Sequence, residues 1–331
     1  MPDSAATLGE LPPLFIVANA GSGKRDCGGL TEALAARLGA PGQRHELLLA
    51  ETGADLPGLA AEAVRRARDR RGVVVAAGGD GTINACAQEV VGAGVAFGVL
   101  PRGTFNYFGR SQGVPIELAD AIEALARPHP ALRRVQVGRV NEHVFLVNAS
   151  IGLYPRLLQE REAWKQRFGR SRAIAAVAAL ATIWREHRPY ALRIESDSGG
   201  AMLRASTLIV GNNALQLAQL GFPEAQAVVD GELAAFALPP LGPLGLTRLM
   251  LDGALGRLAA SDAITRFAFS SMTVQAGRRR SRRGIKVAID GELLRLQPPL
   301  VFGLAPAPLQ LVVPPEMATL RDAALDSEAA A

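Results

Sequence analysis

The feature that most constrains the fold is a buried strand that ends in a glycine-rich turn and continues into a helix. The strand is the apolar run Val73–Ala77, the turn is Gly78–Thr82 with the sequence GGDGT, and a helix is predicted over Thr82–Val91. Three glycines let a turn adopt positive φ angles and approach a ligand closely. The start of the following helix presents free N–H groups to an anion such as a phosphate.

The same alternation of strand and helix signals runs through the first third of the chain. Further buried strands are predicted at Leu14–Ala18, His45–Ala50 and Val95–Leu100. Further helices are predicted up to Leu38, over Leu56–Arg70 and over Pro115–Ala126. This order predicts an α/β N-terminal domain, a Rossmann-like parallel sheet that is covered by helices on both faces.

After about Leu132 the pattern changes to short β-rich segments, which predict an antiparallel sandwich or barrel. Arg156–His187 interrupts these segments as a predicted helical insertion, and Leu309–Val313 is the last strongly apolar stretch. The predicted strands are Val135–Val140, His143–Ala149, Tyr190–Glu195, Ala201–Val210, Glu232–Leu238, Ile264–Gln275, Ile285–Ile289 and Leu300–Leu304.

Composition narrows the class of protein. Hydrophobic residues make up 49% of the 331 residues, so a large core is expected, and the net charge is only +5. Five arginines lie in one short run and account for that charge, whereas a nucleic-acid-binding protein usually spreads its basic residues over a face.

The longest uncharged apolar run, Ala173–Trp184, is shorter than the roughly 20 residues that span a bilayer. Met1–Glu10 lacks a signal-peptide pattern, so we expect a cytoplasmic protein. Cys27 and Cys86 are predicted to be free thiols.

Three polar loops follow predicted strands and therefore share the carboxyl edge of the sheet, where open α/β folds bind ligands. They are Asn19–Gly23, Gly78–Asn84 and Arg102–Asn106. Asp80 would repel a phosphate, unless Mg²⁺ bridges the two or the carboxylate orients a hydroxyl. Gly21–Lys24 resembles the end of a P-loop, but Ala18 and Arg25 break that motif, so an NTPase switch is not predicted.

The two glycine motifs together resemble a known family. Gly78–Thr82 followed by Gly103-Thr104-x-Asn106-x-Phe108 is similar to the diacylglycerol kinase catalytic domain, in particular that of the soluble bacterial lipid kinases. Sphingosine kinases share these motifs, and NAD kinases and phosphofructokinases are more distant relatives. The resemblance implies a nucleotide-binding α/β domain at 12–132, a β-rich acceptor domain at 133–305 and a C-terminal segment, 306–331, that returns to the first domain.

The resemblance also implies ATP and Mg²⁺ as cofactors. Asn19–Gly23 is similar to the family's first nucleotide loop, with Ala20 where proline is usual, and Tyr107 stands where relatives often have aspartate. The implied nucleotide-binding residues are Asn19, Ala20, Gly21, Ser22, Gly23, Thr52, Gly78, Gly79, Asp80, Gly81, Thr82, Ile83, Asn84, Gly103, Thr104 and Asn106.

Two Asp-Gly-Glu segments lie in the second domain. Ile289–Glu292 is similar to the family's catalytic segment, which implies that Glu292, aided by Asp290, deprotonates the acceptor hydroxyl. Val229–Glu232 is similar to a segment that holds a structural Mg²⁺ through its aspartate, here Asp230. Without the family, such a sequence in a β-rich domain is usually a hairpin turn.

A lipid kinase must reach a membrane surface, and the chain has a candidate contact. Basic clusters are attracted to anionic lipid by about 1 kcal/mol per residue. The five-arginine run near residue 280 is a candidate membrane contact, and a solvated loop is the alternative interpretation of it. For Ala173–Trp184, a buried helix is the alternative to a membrane contact. The predicted contact residues, for a protein peripheral on the inner face of the membrane, are Arg278, Arg279, Arg280, Arg282 and Arg283.

The prediction is therefore an ATP-dependent kinase that phosphorylates a hydroxyl of a membrane lipid. A kinase for a soluble acceptor such as NAD, and a non-catalytic relative that binds nucleotide or lipid, are the alternatives. The sequence leaves the acceptor and the oligomeric state open.

Overall fold

The computed structural model describes residues 11–19, 24–40, 42, 44–152, 189–197, 199–240, 242, 245, 248, 264–277, 284–315 and 317. The chain divides into two compact units, the first made of residues 1–137 and 305–331 and the second of residues 138–304. Several sequence-based predictions lie outside the described residues: those on Met1–Glu10, the loop Ala20–Gly23, the insertion Arg156–His187 and the arginine run Arg278–Arg283. The side chain of Cys27, predicted to be a free thiol, is also outside the described part of the chain.

The first unit contains one six-stranded sheet and five α-helices among the described residues. The strands are β1 Leu14–Asn19, β2 His45–Ala50, β3 Val73–Gly78, β4 Ala96–Pro101, β5 Ala131–Val135 and β18 Leu309–Val313. The helices are α1 Lys24–Leu38, α2 Leu56–Arg70, α3 Asp80–Val90, α4 Tyr107–Ser111 and α5 Leu118–Ala126.

The sheet of the first unit has the order β2-β1-β3-β4-β18-β5. All neighbouring strands pair in parallel except β18 and β5, which are antiparallel. Every residue of β3 and β4 is buried, as expected for parallel strands that are covered on both faces. The parallel order places the loops that follow β1, β2, β3 and β4 at one edge, and the C-terminal segment enters the sheet as β18.

Local boundaries differ from the sequence-based ones. The predicted strand Val135–Val140 is divided: Val135 ends β5, and a separate strand begins at Gly138. The predicted domain boundary after Leu132 therefore falls inside β5, which pairs with β18 in the first unit. The helix predicted from Pro115 begins at Leu118, and the helix predicted from Thr82 begins at Asp80.

The second unit is a sandwich of two six-stranded antiparallel sheets. The strands are β6 Gly138–Val140, β7 His143–Phe145, β8 Asn148–Gly152, β9 Tyr190–Ser196, β10 Gly199–Ala205, β11 Thr207–Gly211, β12 Leu233–Leu238, β13 Thr265–Phe269, β14 Ser271–Ala276, β15 Ile285–Ile289, β16 Glu292–Leu296 and β17 Leu300–Leu304. The sheets have the orders β10-β9-β14-β17-β6-β7 and β13-β12-β11-β8-β15-β16. Both sheets contribute to one core, in which Leu192 and Phe302 of one sheet join Val210 and Val287 of the other. The short helices are α6 Ala214–Gln219 and α7 Ala225–Val229.

Three predicted strands of the second unit are in fact pairs of strands in different sheets: His143–Ala149 is divided between β7 and β8, and two longer ones are divided at a serine. Ala201–Val210 is interrupted at Ser206 and Ile264–Gln275 at Ser270, and at each serine the chain passes from one sheet to the other. The strands of both sheets have apolar residues at alternate positions, because both sheets face the same core. Hydrophobic periodicity therefore does not reveal where the chain passes from one sheet to the other. Among the described residues, no helix has the length and apolar character needed to span a membrane.

Candidate active site

The glycine-rich turn places its backbone at the carboxyl end of β3 and the start of α3. Gly79 is the N-cap of α3, and its carbonyl accepts a hydrogen bond from the Ile83 N–H at 3.0 Å. None of Gly78, Gly79 and Gly81 has a φ in the left-handed region. The expectation of positive φ angles was therefore wrong. At Gly78 the requirement is space, because an added Cβ would lie 2.5 Å from the Thr82 Cβ.

The second glycine motif packs directly against the first. A Cβ added to Gly103 would lie 2.6 Å from the Gly79 Cα, and the Arg102 N–H donates to the Gly78 carbonyl at 2.9 Å. The buried Asn106, with φ 49°, closes the loop: its Oδ1 accepts from the Gly103 N–H at 2.8 Å, and its Nδ2 donates to the Gly103 carbonyl at 2.9 Å. The two predicted loops thus form one continuous backbone surface.

Asp80 joins these loops through its side chain. Its carboxylate accepts hydrogen bonds from the N–H groups of Tyr107 at 3.3 Å and Phe108 at 3.2 Å, which lie in the first turn of α4. A carboxylate beside the N–H groups of a first helical turn is electrostatically favourable. Asp80, whose negative charge is unexpected in a phosphate-binding turn, therefore also orders the loop of the second glycine motif.

Mg²⁺ fits this site only in the mode that uses few protein ligands. The described residues contain no group of three or more His, Cys, Asp or Glu side chains that could hold a metal ion. Mg²⁺ at nucleotide sites is commonly held by one or two carboxylates together with substrate phosphates. Asp80 supplies one such carboxylate. Asp230, the other predicted metal ligand, ends α7 and accepts a hydrogen bond from Gln226 Nε2 at 2.8 Å.

The other predicted nucleotide residues of the first unit differ in accessibility. Asn19 ends β1, whereas Thr52 follows β2 and donates its hydroxyl hydrogen bond to Asp55 Oδ2 at 3.0 Å, capping a 3-10 turn. Ile83 is fully buried, and its N–H already donates to the Gly79 carbonyl. Thr82 and Asn84 are also buried, and Thr104 is exposed.

An aromatic pair beside Asp80 was not predicted. The rings of Phe105 and Tyr107 stack at a centroid distance of 5.6 Å and an interplanar angle of 8°, and Phe105 is 52% exposed. The substitution at Tyr107 was the only signal in the sequence.

Cys86, on α3, does not contribute a reactive group to this region. It is a free thiol with no exposed surface, and burial raises its pKa to about 12. A thiol is nucleophilic only when deprotonated, so Cys86 is a core residue.

In the second unit, Asp290 and Gly291 form the two-residue loop of the β15–β16 hairpin. Their φ angles are 45° and 94°, and Ile289 pairs with Glu292 across the hairpin. The Asp290 carboxylate accepts hydrogen bonds from the N–H groups of Leu146 at 2.7 Å, Val147 at 2.9 Å and Asn148 at 2.8 Å. Asp290 thus fastens the hairpin to the β7–β8 connection, and Glu292 is exposed at the start of β16.

A pocket with a volume of about 250 Å³ lies on the outer face of the sheet that contains this hairpin. Its walls are mainly apolar and come from β11, β12 and α6. No pattern in the sequence predicted it, because its walls are distant in the chain. It is lined by Asn148, Thr207, Ile209, Gly211, Gln216, Leu217, Leu220, Phe222, Phe236, Leu238 and Ile264.

Comparisons with known proteins find diacylglycerol kinases among the proteins that are similar to this chain. Residues 13–140 match the family model described as the diacylglycerol kinase catalytic domain. A diacylglycerol kinase of Staphylococcus saprophyticus is 36% identical over 98 residues, which are 28% of this chain and 30% of that protein. A Klebsiella pneumoniae protein named "Probable lipid kinase YegS-like" is 40% identical over 83 residues, 24% of this chain and 27% of that protein.

Solved structures show the same fold over a longer span. A structure described as a diacylglycerol kinase from Bacillus anthracis has a TM-score of 0.62 at 16% identity and covers 92% of this chain and 98% of its own. The matches to the curated relatives span about a third of their length. The match of residues 13–140 to the diacylglycerol kinase catalytic domain confirms the resemblance seen in the two glycine motifs.

The contact between the glycine loops gives a first prediction. Gly103→Ala is expected to lower the free energy of unfolding by about 1–3 kcal/mol and to weaken ATP binding, because the new methyl group would force Gly79 and Asn106 apart. Urea unfolding and ATP titration measure the two effects. Gly58→Ala is the control, because nothing lies within 4 Å of its added Cβ. Equal stability and ATP affinity of Gly103→Ala and Gly58→Ala would contradict the packing assigned to the loops.

Proposed function

We propose that this protein is a lipid kinase that transfers the γ-phosphoryl group of ATP to a hydroxyl of a lipid. The observation that carries the proposal is the apolar pocket of the second unit, whose polar end lies at the same end of the sheet as the Asp290–Glu292 hairpin. An apolar pocket with a few polar groups is the usual form of a small-molecule site. The relatives' names, diacylglycerol kinase and lipid kinase, support the same reaction.

The first unit would bind the nucleotide. The N–H groups at the start of α3 and the closely packed loops Gly78–Thr82 and Gly103–Asn106 offer donors to the phosphates. Asp80 would hold Mg²⁺ while it remains bonded to the first turn of α4. When bound, Mg²⁺ neutralises charge on the phosphates, which is much of what phosphoryl transfer requires.

The second unit would bind and activate the acceptor. Glu292 would accept the proton of the lipid hydroxyl. As the hydroxyl oxygen bonds to the γ-phosphorus of ATP, the bond between that phosphorus and the ADP oxygen would break. Asp290 would act through its three backbone hydrogen bonds, which position the hairpin. The contact of the arginine run with anionic membranes remains a proposal from the sequence, since those residues lie outside the described part of the chain.

The reaction is tested by incubating the full chain with ATP labelled in the γ-phosphate and a bacterial lipid extract. We expect Mg²⁺-dependent label in the organic phase after extraction, because the product is a phosphorylated lipid. Label that appears only in an aqueous product formed from NAD would support a soluble acceptor. ATP binding with no transfer to any lipid or to NAD would support a non-catalytic relative.

A further inference from the structure

We infer that the amide pair Asn148–Gln216 is the specificity-determining element of the acceptor pocket and favours lipids with an uncharged, hydroxyl-bearing headgroup. The inference rests on the proposed function, because it assigns the pocket to the acceptor. It concerns which lipid is accepted, a question that the glycine motifs do not address.

The pocket is built on the outer face of one sheet. Side chains alternate between the two faces of a strand. On β11, Leu208 and Val210 enter the sandwich core, whereas Thr207, Ile209 and Gly211 face the pocket. The cover is a separate apolar cluster that includes Leu217 of α6, Phe222, Val228 of α7 and Phe236 of β12. At about 250 Å³ the pocket is somewhat smaller than the roughly 300–1,000 Å³ typical of ligand sites.

Among the described lining residues, only Asn148, Thr207 and Gln216 have polar side chains. The Thr207 hydroxyl donates to the Ile151 carbonyl at 2.8 Å and is therefore already satisfied. Asn148 Nδ2 donates to Gln216 Oε1 at 3.1 Å. This bond leaves Asn148 Oδ1 as an acceptor and Gln216 Nε2 as a donor for a ligand.

A hydroxyl group matches this pair, because it can donate one hydrogen bond and accept another. A phosphate or carboxylate has no donor for Asn148 Oδ1, and none of the lining residues that the structure describes carries a positive charge to offset its desolvation. An ammonium head has no acceptor for Gln216 Nε2, and none of the described lining residues carries a negative charge. The chemistry of the pair therefore favours a neutral head.

The amide pair is also connected to the hairpin that carries the proposed base, Glu292. The Asn148 N–H donates to the Asp290 carboxylate at 2.8 Å, and the Asp290 N–H donates to the Asn148 carbonyl at 2.9 Å. Asn148 begins β8, whose neighbour β15 ends at Ile289 beside Ala149. A hydroxyl held by the pair therefore lies at the end of the sheet where Glu292 begins β16.

The test compares acceptors of equal chain length: a monoacylglycerol, a lysophosphatidylglycerol and sphingosine. For the wild type we expect the highest kcat/KM with the monoacylglycerol. Gln216→Leu should lower that value about fivefold to tenfold, as for one lost neutral hydrogen bond, with the KM for ATP unchanged. Gln216→Lys should shift the preference toward the anionic lysophosphatidylglycerol. Gln219→Leu, on the same helix but outside the pocket, is the matched control and should change neither value.

Direct binding of the same lipids to the full chain without ATP separates two kinds of failure. If the wild type phosphorylates lipids, but Gln216→Leu and Gln216→Lys leave the preference among the three unchanged, the pair does not select the headgroup. The lipid kinase function would then stand. If the wild type binds the monoacylglycerol and Gln216→Leu weakens that binding, but no lipid is phosphorylated, the selection stands and the proposed reaction is wrong.

Discussion

Glu292→Gln is expected to lower lipid-dependent ATP turnover by about 10²–10⁴-fold, the usual contribution of a positioned general base. Glutamine keeps the size of the side chain and its hydrogen-bonding atoms, but it does not accept the proton of the acceptor hydroxyl. The Glu292 side chain is exposed at the start of β16, so the fold should be unaffected. Release of ADP in the presence and absence of lipid measures the loss, and circular dichroism checks the fold.

Glu195→Gln is the matched control for this prediction. Glu195 is an exposed residue of β9 in the same unit, where it forms an ion pair with Arg193 at 2.8 Å. Its substitution should leave turnover unchanged, because exposed ion pairs contribute little. If Glu292→Gln retained turnover within about twofold of the wild type, well below the expected range, Glu292 would not be the base.

Asp290→Ala is expected to lower the free energy of unfolding by about 2–5 kcal/mol. Hydrogen bonds to a charged group contribute about 1.5–3 kcal/mol each. Three backbone N–H groups would lose their acceptor, but because they share one carboxylate their contributions are not additive, and the total is smaller than for three separate bonds. Two of these groups belong to the buried residues Leu146 and Val147, where water is a poor replacement. Urea unfolding of the full chain measures the change.

Asp290→Asn separates the loss of charge from the loss of the acceptor, because its one amide oxygen still accepts hydrogen bonds. We expect an intermediate destabilisation. Asp69→Ala, an exposed position on α2, is the control and should stay within about 0.5 kcal/mol of the wild type. An Asp290→Ala variant as stable as the Asp69→Ala variant would show that the carboxylate does not hold the hairpin in place.

Much of the first unit is predictable from local sequence. β1, β3 and β4 are short apolar runs that end in polar or glycine-rich loops, and the observed bounds of β1 to β4 lie within one residue of the predicted ones. Such runs are typical of strands that are buried on both faces. The shared edge of the sheet then follows from parallel pairing, which is why the two glycine motifs were expected to meet.

The second unit was less predictable, because its strands are short and the strands of both sheets show the same alternation of apolar and polar residues. The hairpin strand β16 was missed, since Glu292–Leu296 has no long apolar run. The crossings at Ser206 and Ser270 and the helices α6 and α7 were missed as well. The pocket depends on all of these features, so it had no counterpart in the sequence.

The sequence by itself determined the order of strands and helices in the first unit, the two glycine motifs and the similarity of residues 13–140 to the diacylglycerol kinase catalytic domain. These features depend on residues that are close together in the chain. Only the tertiary structure decided that Asp80 orders the loop of Tyr107, 27 residues away, and that Asp290 holds Leu146, 144 residues away. Such contacts depend on strand order and register, because these place distant residues side by side, and local periodicity does not encode them.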